Sequence, residues 1–573
     1  MTIFKKPLRQ LIEFILLGCL LLSSSATVSA MPPHPDIVRT DSPRRQAVIE
    51  QLRSMRARGI DQSDDFLLNK IRQAKEASNR ASAEEPFKVL AILVEFFEQE
   101  ATVPAVFFDS LIFNTEGNTV HDYFDETSQS LINLVTVNLP STIGWLRAPS
   151  PYYFYVNENY GTGDYPNNSQ KLVEDLVNIV NPQIDFSEYD NDGDGYVDLI
   201  LVIHSGSGAE FTGDNDDIWS HKWQISDMNC DGVKISDYTI QPEYWLYPGD
   251  MTIGVYCHEL SHGFGLPDLY DVDGSSYGIG YWGIMSYGSW NGPLGMGSSP
   301  SHHCAWSKVQ MGIGTVVDID ATQLDITASA VEIGGTIYRL HTAAMGENEY
   351  FLIENRQPLG YDSYLPGDGL LVWHIDDAQL TNSHEWYPGT SQYMHYLVAL
   401  EQADGLYQME HHLNCGDAGD PYPGNTGNLE FGGNSLPDAD SYVYGVSSFV
   451  LNNISASDSV MYFDVTINLS TGIDNPVTIL PQTINLNQNY PNPFNPETRI
   501  EYSVTNSGYG RLEIFNVLGR RVKTLYEGYI AHGNNSLSWD GTNDQNESIS
   551  SGAYFYRLTV GGESSTKKMI LVR

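Results

Sequence analysis

Eleven consecutive residues, His258-Glu-Leu-Ser-His-Gly-Phe-Gly-Leu-Pro-Asp268, constrain this 573-residue chain more than any other stretch. On a helix, His258 and His262 sit one turn apart and project from one face. Two imidazoles at that spacing suit one zinc ion. Glu259 lies between them, placed to act on a water in the open coordination position. Gly265 suits a helix end in the left-handed region that residues with a Cβ avoid. The chain can then turn back and offer Asp268 as a third ligand, with Asp271 as the alternative. Zinc lowers the pKa of a bound water from about 15.7 to about 7, and a neighbouring carboxylate can take its proton. The expected catalytic base is therefore Glu259, and the expected zinc ligands are His258, His262 and Asp268.

About twenty residues on comes Tyr281-Trp-Gly-Ile-Met-Ser-Tyr287. The long zinc motif followed by a methionine-containing stretch resembles the arrangement of metzincin-type proteases, which place such a turn beneath the metal. In that likeness Met285 is the turn residue, and Tyr287 is implied as a catalytic tyrosine that hydrogen-bonds the developing oxyanion. The motif ending in Asp rather than His is similar to that of the immune inhibitor A family of secreted bacterial metalloproteases. Further matches lie at Lys88 to Phe96, Asp190 to Asp198, Val202 to Gly206, Asp217 to His221, Glu354 to Gln357 and Leu365 to His374. The likeness covers roughly residues 87 to 430. It implies protein or peptide substrates, which the spacing alone does not give. One departure is Leu269, where an acidic residue is commoner.

The formal charge of −42 excludes nucleic acid and anionic membrane surfaces as natural partners. The first thirty residues read as an export signal. Lys5, Lys6 and Arg9 precede an apolar stretch from Phe14 to Leu22, which leads to small residues ending Val28-Ser29-Ala30. That run is too short to span a bilayer, so no transmembrane anchor is expected. The remaining cysteines, Cys230, Cys257, Cys304 and Cys415, permit up to two disulfides in three pairings. A free buried thiol at Cys257 is equally compatible. Residues 31–85 are arginine-rich with helical spacing and read as a propeptide able to lie over an acidic cleft, or as a flexible leader.

Asp190, Asp192, Asp194 and Asp198 occupy positions 1, 3, 5 and 9 of a calcium loop, with Gly195 at position 6 and the carbonyl of Tyr196 at position 7. Position 12 is Leu201, so the usual bidentate Glu is missing, and a structural rather than regulatory ion is expected. Asp417 and Asp420 offer a weaker hint of another ion site.

These features predict an α+β, metzincin-like zinc protease domain over 86–325, with its active-site helix starting near Asp250 to Thr252. A β-sandwich over 326–467 follows, with strands expected at Val331–Ile333, Thr336–Leu340, Tyr350–Glu354 and Tyr396–Leu400. A linker over 468–484 leads to a tail over 485–573. Its opening, Asn489-Tyr-Pro-Asn-Pro-Phe-Asn-Pro496, resembles the C-terminal sorting domain of type IX secretion cargo, a small immunoglobulin-like β-sandwich. That likeness implies contact with secretion machinery and release or surface attachment. The expectation is a monomeric secreted zinc endopeptidase. The competing expectation is a surface adhesin or binding protein with an inactive protease domain.

Overall fold

The structure is a computed structural model describing residues 29–38, 86–388, 390, 395–432, 435–442, 447–467, 485–492, 494–504, 508–516, 520–530, 533–543, 548–560 and 563–572. Most of the expected export signal and propeptide (1–28 and 39–85), and the expected linker 468–484, lie outside these residues.

Short runs of branched apolar residues build a six-stranded sheet. Its strands are β1 (Ser29–Ala30), β2 (Leu90–Glu95), β3 (Trp145–Arg147), β4 (Ile200–His204), β5 (His221–Cys230) and β6 (Val233–Pro242). The spatial order is β1-β5-β6-β4-β2-β3. The β6-β4-β2-β3 block is parallel; at one edge β5 pairs antiparallel with β6, and β1 in turn pairs antiparallel with β5. Because β2 and β4 are buried on both faces, they are continuously apolar rather than alternating. Val89, Ala91, Leu93, Leu201 and Ile203 face one core; Leu90, Ile92, Val94, Ile200 and Val202 face the other. The second core is closed by helix Ser169–Val180, whose Leu172, Val173, Leu176, Val177 and Val180 form one buried stripe.

The active-site helix, Gly254–Gly263, packs in the first core. It begins later than the sequence suggests. Asp250 is used up accepting hydrogen bonds from the backbone of Trp245, Leu246 and Tyr247 (2.8–2.9 Å), so it shapes the preceding turn rather than capping the helix.

A five-stranded sheet (Val398–Leu400, Gly369–Asp376, Glu349–Arg356, Thr336–Leu340, Thr315–Ile319, in spatial order) follows. A four-stranded antiparallel sheet faces it, built from Gln323–Ser329, Val460–Ile467, Phe449–Asn452 and Phe431–Gly432. Tyr338, Phe351, Ile353 and Val372 from the first meet Ile326, Phe449, Met461 and Phe463 from the second. The opposite face of the five-stranded sheet sends Leu352, Leu371, Trp373 and Ile375 into the core that holds the active-site helix. The two regions therefore share apolar packing. The strand expected at Val331–Ile333 is instead a single 3₁₀ turn, because Gly334 (φ +85°) and Gly335 fold the chain back on Ala330.

The tail forms a three-stranded and a four-stranded sheet around Ile500, Leu512, Ile514, Trp539, Tyr556 and Leu558. Among the described residues, Cys230, Cys257, Cys304 and Cys415 are buried free thiols, so no disulfide joins any of them. No described helix is long and apolar enough to cross a membrane.

Candidate metal centre

The helix Gly254–Gly263 is buried along its length, which takes His258, Glu259 and His262 out of water. It stops where Gly265, at φ +89°, donates its N–H to the His262 carbonyl (2.9 Å). The turn that follows returns Asp268 to the helix. His258 Nε2 and His262 Nε2 are 3.2 Å apart, and Asp268 Oδ1 lies 3.1 Å and 3.3 Å from them. The other ring nitrogens are committed: His258 Nδ1 meets the Ile284 carbonyl and His262 Nδ1 the Leu266 carbonyl, each at 2.7 Å. A carbonyl only accepts, so each Nδ1 carries a proton, which leaves the inward-facing Nε2 as the lone-pair nitrogen of the neutral tautomer. Two lone pairs and a carboxylate oxygen converging in a buried place fit a bound cation and repel one another without it.

Burial works to raise the Asp268 carboxyl, but His262 and His258 outweigh it and hold it below the ordinary range. Burial pushes the His262 imidazole down, favouring the neutral form that a metal needs. The carbonyl that receives His258 belongs to the residue before Met285, and the Met285 carbonyl accepts from Leu269 N–H (2.7 Å). The methionine-containing turn thus contacts both the helix and the returning chain.

Glu259 is wholly buried, and neither carboxylate oxygen has a hydrogen-bond partner among the described residues. Burial first, then the charges of Asp268 and Glu210, push its carboxyl well above the ordinary range, against a smaller opposing pull from the nearby Met31 backbone N–H. A buried, unpartnered carboxylate is costly and rarely kept for stability. Asp271, the alternative third ligand, is engaged elsewhere. It accepts from Asp273 N, Ser275 Oγ, Ser276 N and Ser276 Oγ at 2.8–2.9 Å, and so organises its own turn.

Residues 29–34 lie across this centre. Strand β1 pairs antiparallel with β5, Ser29 opposite Lys222 and Ala30 opposite His221. Ala30 N–H approaches Asp268 Oδ2 (3.3 Å), and Tyr270 donates its hydroxyl to the Ala30 carbonyl (2.7 Å). Trp219 Nε1 donates to the Met31 carbonyl (2.8 Å) and Trp290 Nε1 to the Pro32 carbonyl (3.0 Å). Nothing in the sequence pattern marks Tyr270, Trp219 or Trp290 as contacts of an extended chain, since each reads as ordinary aromatic core. Tyr287 is buried edge-on to the rings of Tyr277 (5.3 Å) and Tyr270 (6.2 Å). It is Tyr270 whose hydroxyl meets the carbonyl beside Asp268.

Away from the centre, one carboxylate oxygen from each of Asp190, Asp192 and Asp194 falls within 4.8 Å of the others. Asp198 stands apart from that group and accepts from Asn191 N (2.7 Å) and Nδ2 (3.0 Å). The Tyr196 hydroxyl accepts from Lys234 Nζ (2.8 Å).

Residues 97–315 match the family model "Immune inhibitor A peptidase M6, catalytic domain". Over those residues the chain is similar to peptidase M6 catalytic domains of the immune inhibitor A type. Residues 488–572 match the secretion system C-terminal sorting domain. The pre-pro-metalloprotease PrtV of Vibrio cholerae is 31% identical over 205 residues, 30% of this chain and 22% of that one. Immune inhibitor A of Bacillus thuringiensis subsp. alesti is 31% identical over 198 residues, 28% of each. The match thus spans roughly a quarter of the length of these relatives. Among solved structures, latent PorU of Porphyromonas gingivalis aligns at 19% identity over 22% of this chain and 12% of that one, with TM-score 0.15. OgpA of Akkermansia muciniphila aligns at 10% identity over 86% and 94%, with TM-score 0.18. Superpositions this poor carry no argument about the fold.

Proposed function

We propose that this chain is a secreted zinc endopeptidase, with His258, His262 and Asp268 holding the metal and Glu259 as the general base. The observation that carries the reading is the extended backbone at Ala30–Pro32. It is gripped through its carbonyls and strand pairing beside Asp268 and an orphaned buried carboxylate. Main-chain recognition of an extended segment at a sheet edge is how a protein reads polypeptide independently of most side chains.

Zinc bound by these three residues would supply Lewis acidity and an acidified water. The chain's own groups do the rest. The Ile284 and Leu266 carbonyls fix the tautomers of His258 and His262. Glu259 takes a proton from the attacking water and hands it to the leaving amine. Its two carboxylate oxygens, engaged by no side chain among the described residues, are available for that transfer. Tyr287 stabilises the oxyanion in this reading, and Tyr270, already donating to a backbone carbonyl, aligns the peptide.

The loop of Asp190, Asp192, Asp194, Tyr196 and Asp198 is proposed to hold a structural calcium ion, supported by the converging first three carboxylates. Residues 1–30 and 31–85 are proposed as export signal and propeptide, 86–325 and 326–467 as protease domain and β-sandwich, and 485–573 as the immunoglobulin-like tail. The tail would engage secretion machinery and leave a monomeric protein outside the cell or on its surface.

Bound zinc after dialysis, read together with hydrolysis of unfolded casein, tests the ligand set. Asp268→Ala should lose zinc and hydrolysis together, with affinity falling by more than the ~10–100-fold cost of removing an outer-shell partner. Asp271→Ala should keep both. An Asp268→Ala protein that retains zinc and turnover would overturn the assignment.

A further inference from the structure

Asp404, Asp417 and Asp420 lie apart from the triad of histidines and aspartate and from the Asp190 loop. One carboxylate oxygen from each falls within 4.8 Å of the other two. Asp420 is completely buried. Its Oδ2 accepts from Trp282 Nε1 (3.0 Å) and Asp417 N–H (2.9 Å), while its Oδ1, equally buried, has no partner. Asp417 Oδ1 accepts from Gly419 N–H (2.7 Å) and its Oδ2 from Asn414 Nδ2 (2.8 Å). Asp404 Oδ1 accepts from Leu406 N–H (2.9 Å). A Cβ at Gly419 would fall 2.5 Å from Asp404 Oδ2 and 3.0 Å from Asp417 Oδ1, so a side chain there would push these two carboxylates out of their present positions. Among the described residues, none of the three pairs with a lysine or arginine. Three carboxylates drawn together, one of them buried with an orphan oxygen, must either take up protons or gather a counter-charge, and the described chain offers no basic side chain to them.

We propose that Asp404, Asp417 and Asp420 bind a divalent cation of the calcium class. The donor set is oxygen only, which selects a hard ion over zinc. The site has a structural consequence. The Cys415 carbonyl accepts from Tyr281 N–H (2.7 Å) and the Met409 carbonyl from Tyr277 N–H (3.0 Å), beside the Trp282–Asp420 bond. The ion would therefore fasten residues 404–420 to the segment leading into Ile284, whose carbonyl orients His258. Calcium-class binding here does not depend on the peptidase reading.

The test uses the full chain carrying Asp190→Asn and Asp192→Asn, which silences the acidic loop, and calcium itself as probe. Calorimetric titration should find one ion. Saturating calcium should raise the thermal midpoint by roughly 5 °C. Adding Asp404→Asn should weaken binding by about tenfold or more and abolish that rise. The amide oxygen that this substitution introduces still accepts from Leu406 N–H, so the fold is retained. Terbium gives a second readout: tryptophan-sensitised emission is expected, since Trp282 donates directly to Asp420, and should fall with Asp404→Asn. Unchanged calcium affinity and emission in Asp404→Asn, or no ion bound by the loop-silenced protein at millimolar calcium, would overturn the proposal.

Discussion

Glu259→Gln is expected to bind zinc and fold as well as the parent, yet hydrolyse protein about 10²–10⁴-fold more slowly. Gln matches the shape of Glu, so the packing of the Gly254–Gly263 helix is preserved. His258, His262 and Asp268 keep their mutual distances, because their positions depend on the Ile284 and Leu266 carbonyls and on the turn after Gly265, not on Glu259. What disappears is a carboxylate that can accept and return a proton. The same substitution removes a buried, unpartnered carboxylate, and with it the electrostatic cost of burial beside Asp268 and Glu210. Its thermal midpoint should therefore equal or exceed the parent's, a stability gain paired with lost activity. Steady-state hydrolysis and a melting curve on the same preparation check both. A variant that lost activity through unfolding, or that kept full activity, would contradict the role assigned to this residue.

Arg356→Met is expected to cost about 3–5 kcal/mol, the usual penalty for breaking a buried ion pair. Arg356 is fully buried. Its Nε and Nη2 donate to Asp362 at 2.9 Å and 2.7 Å, and Nη1 reaches Glu354 and the Trp282 carbonyl at 3.3 Å. Glu332 lies 3.3 Å from Nε. Asp362 in turn accepts from His302 N–H (2.9 Å). One guanidinium thus ties the five-stranded sheet to the Trp282 turn and to the chain before the helix Ala305–Met311. Losing it leaves three buried carboxylates with, among the described residues, Lys308, 4.0 Å from Glu354, and the His302 ring, 3.9 Å from Asp362, as the nearby basic groups. The thermal midpoint should fall by roughly 10 °C, and a midpoint within a degree of the parent's would show that this network does not couple the regions.

The Glu354-Asn-Arg356-Gln357 stretch stood out in the sequence only as a likeness. Its physical role depends on Glu332, Asp362 and Trp282, which lie far enough along the chain that no local pattern joins them. The metal centre divides the same way. His258, Glu259, His262 and Gly265 were legible because helical spacing and a helix end are local properties. The third position was read from the sequence as Asp268 with Asp271 as the alternative; what distinguishes the two, Ser275 and Ser276 capturing Asp271, is a contact visible only once the turn is folded. Two-residue strand β1 carries no periodicity at all, so its place across the centre had no signature in the sequence. The doubly buried strands Leu90–Glu95 and Ile200–His204 were readable as apolar runs, but their order in the sheet was not. At Val331–Ile333 the apolar pattern suggested a strand, and Gly334-Gly335 overrode it. Asp417 and Asp420 were visible as a tract, whereas Asp404 joins them only through the fold.

The most direct test is hydrolysis of unfolded casein by folded full chain cut between residues 39 and 85, assayed as prepared, after a zinc chelator, and after zinc is restored. Trp219 and Trp290 hold the Met31 and Pro32 carbonyls, contacts that remain once an export signal ending at Ala30 is removed, so the uncut chain serves as a low-activity reference. The account predicts activity that appears on cutting, vanishes on chelation and returns with zinc. A cut, folded, zinc-loaded protein that leaves casein intact, or one whose activity survives chelation, would contradict it.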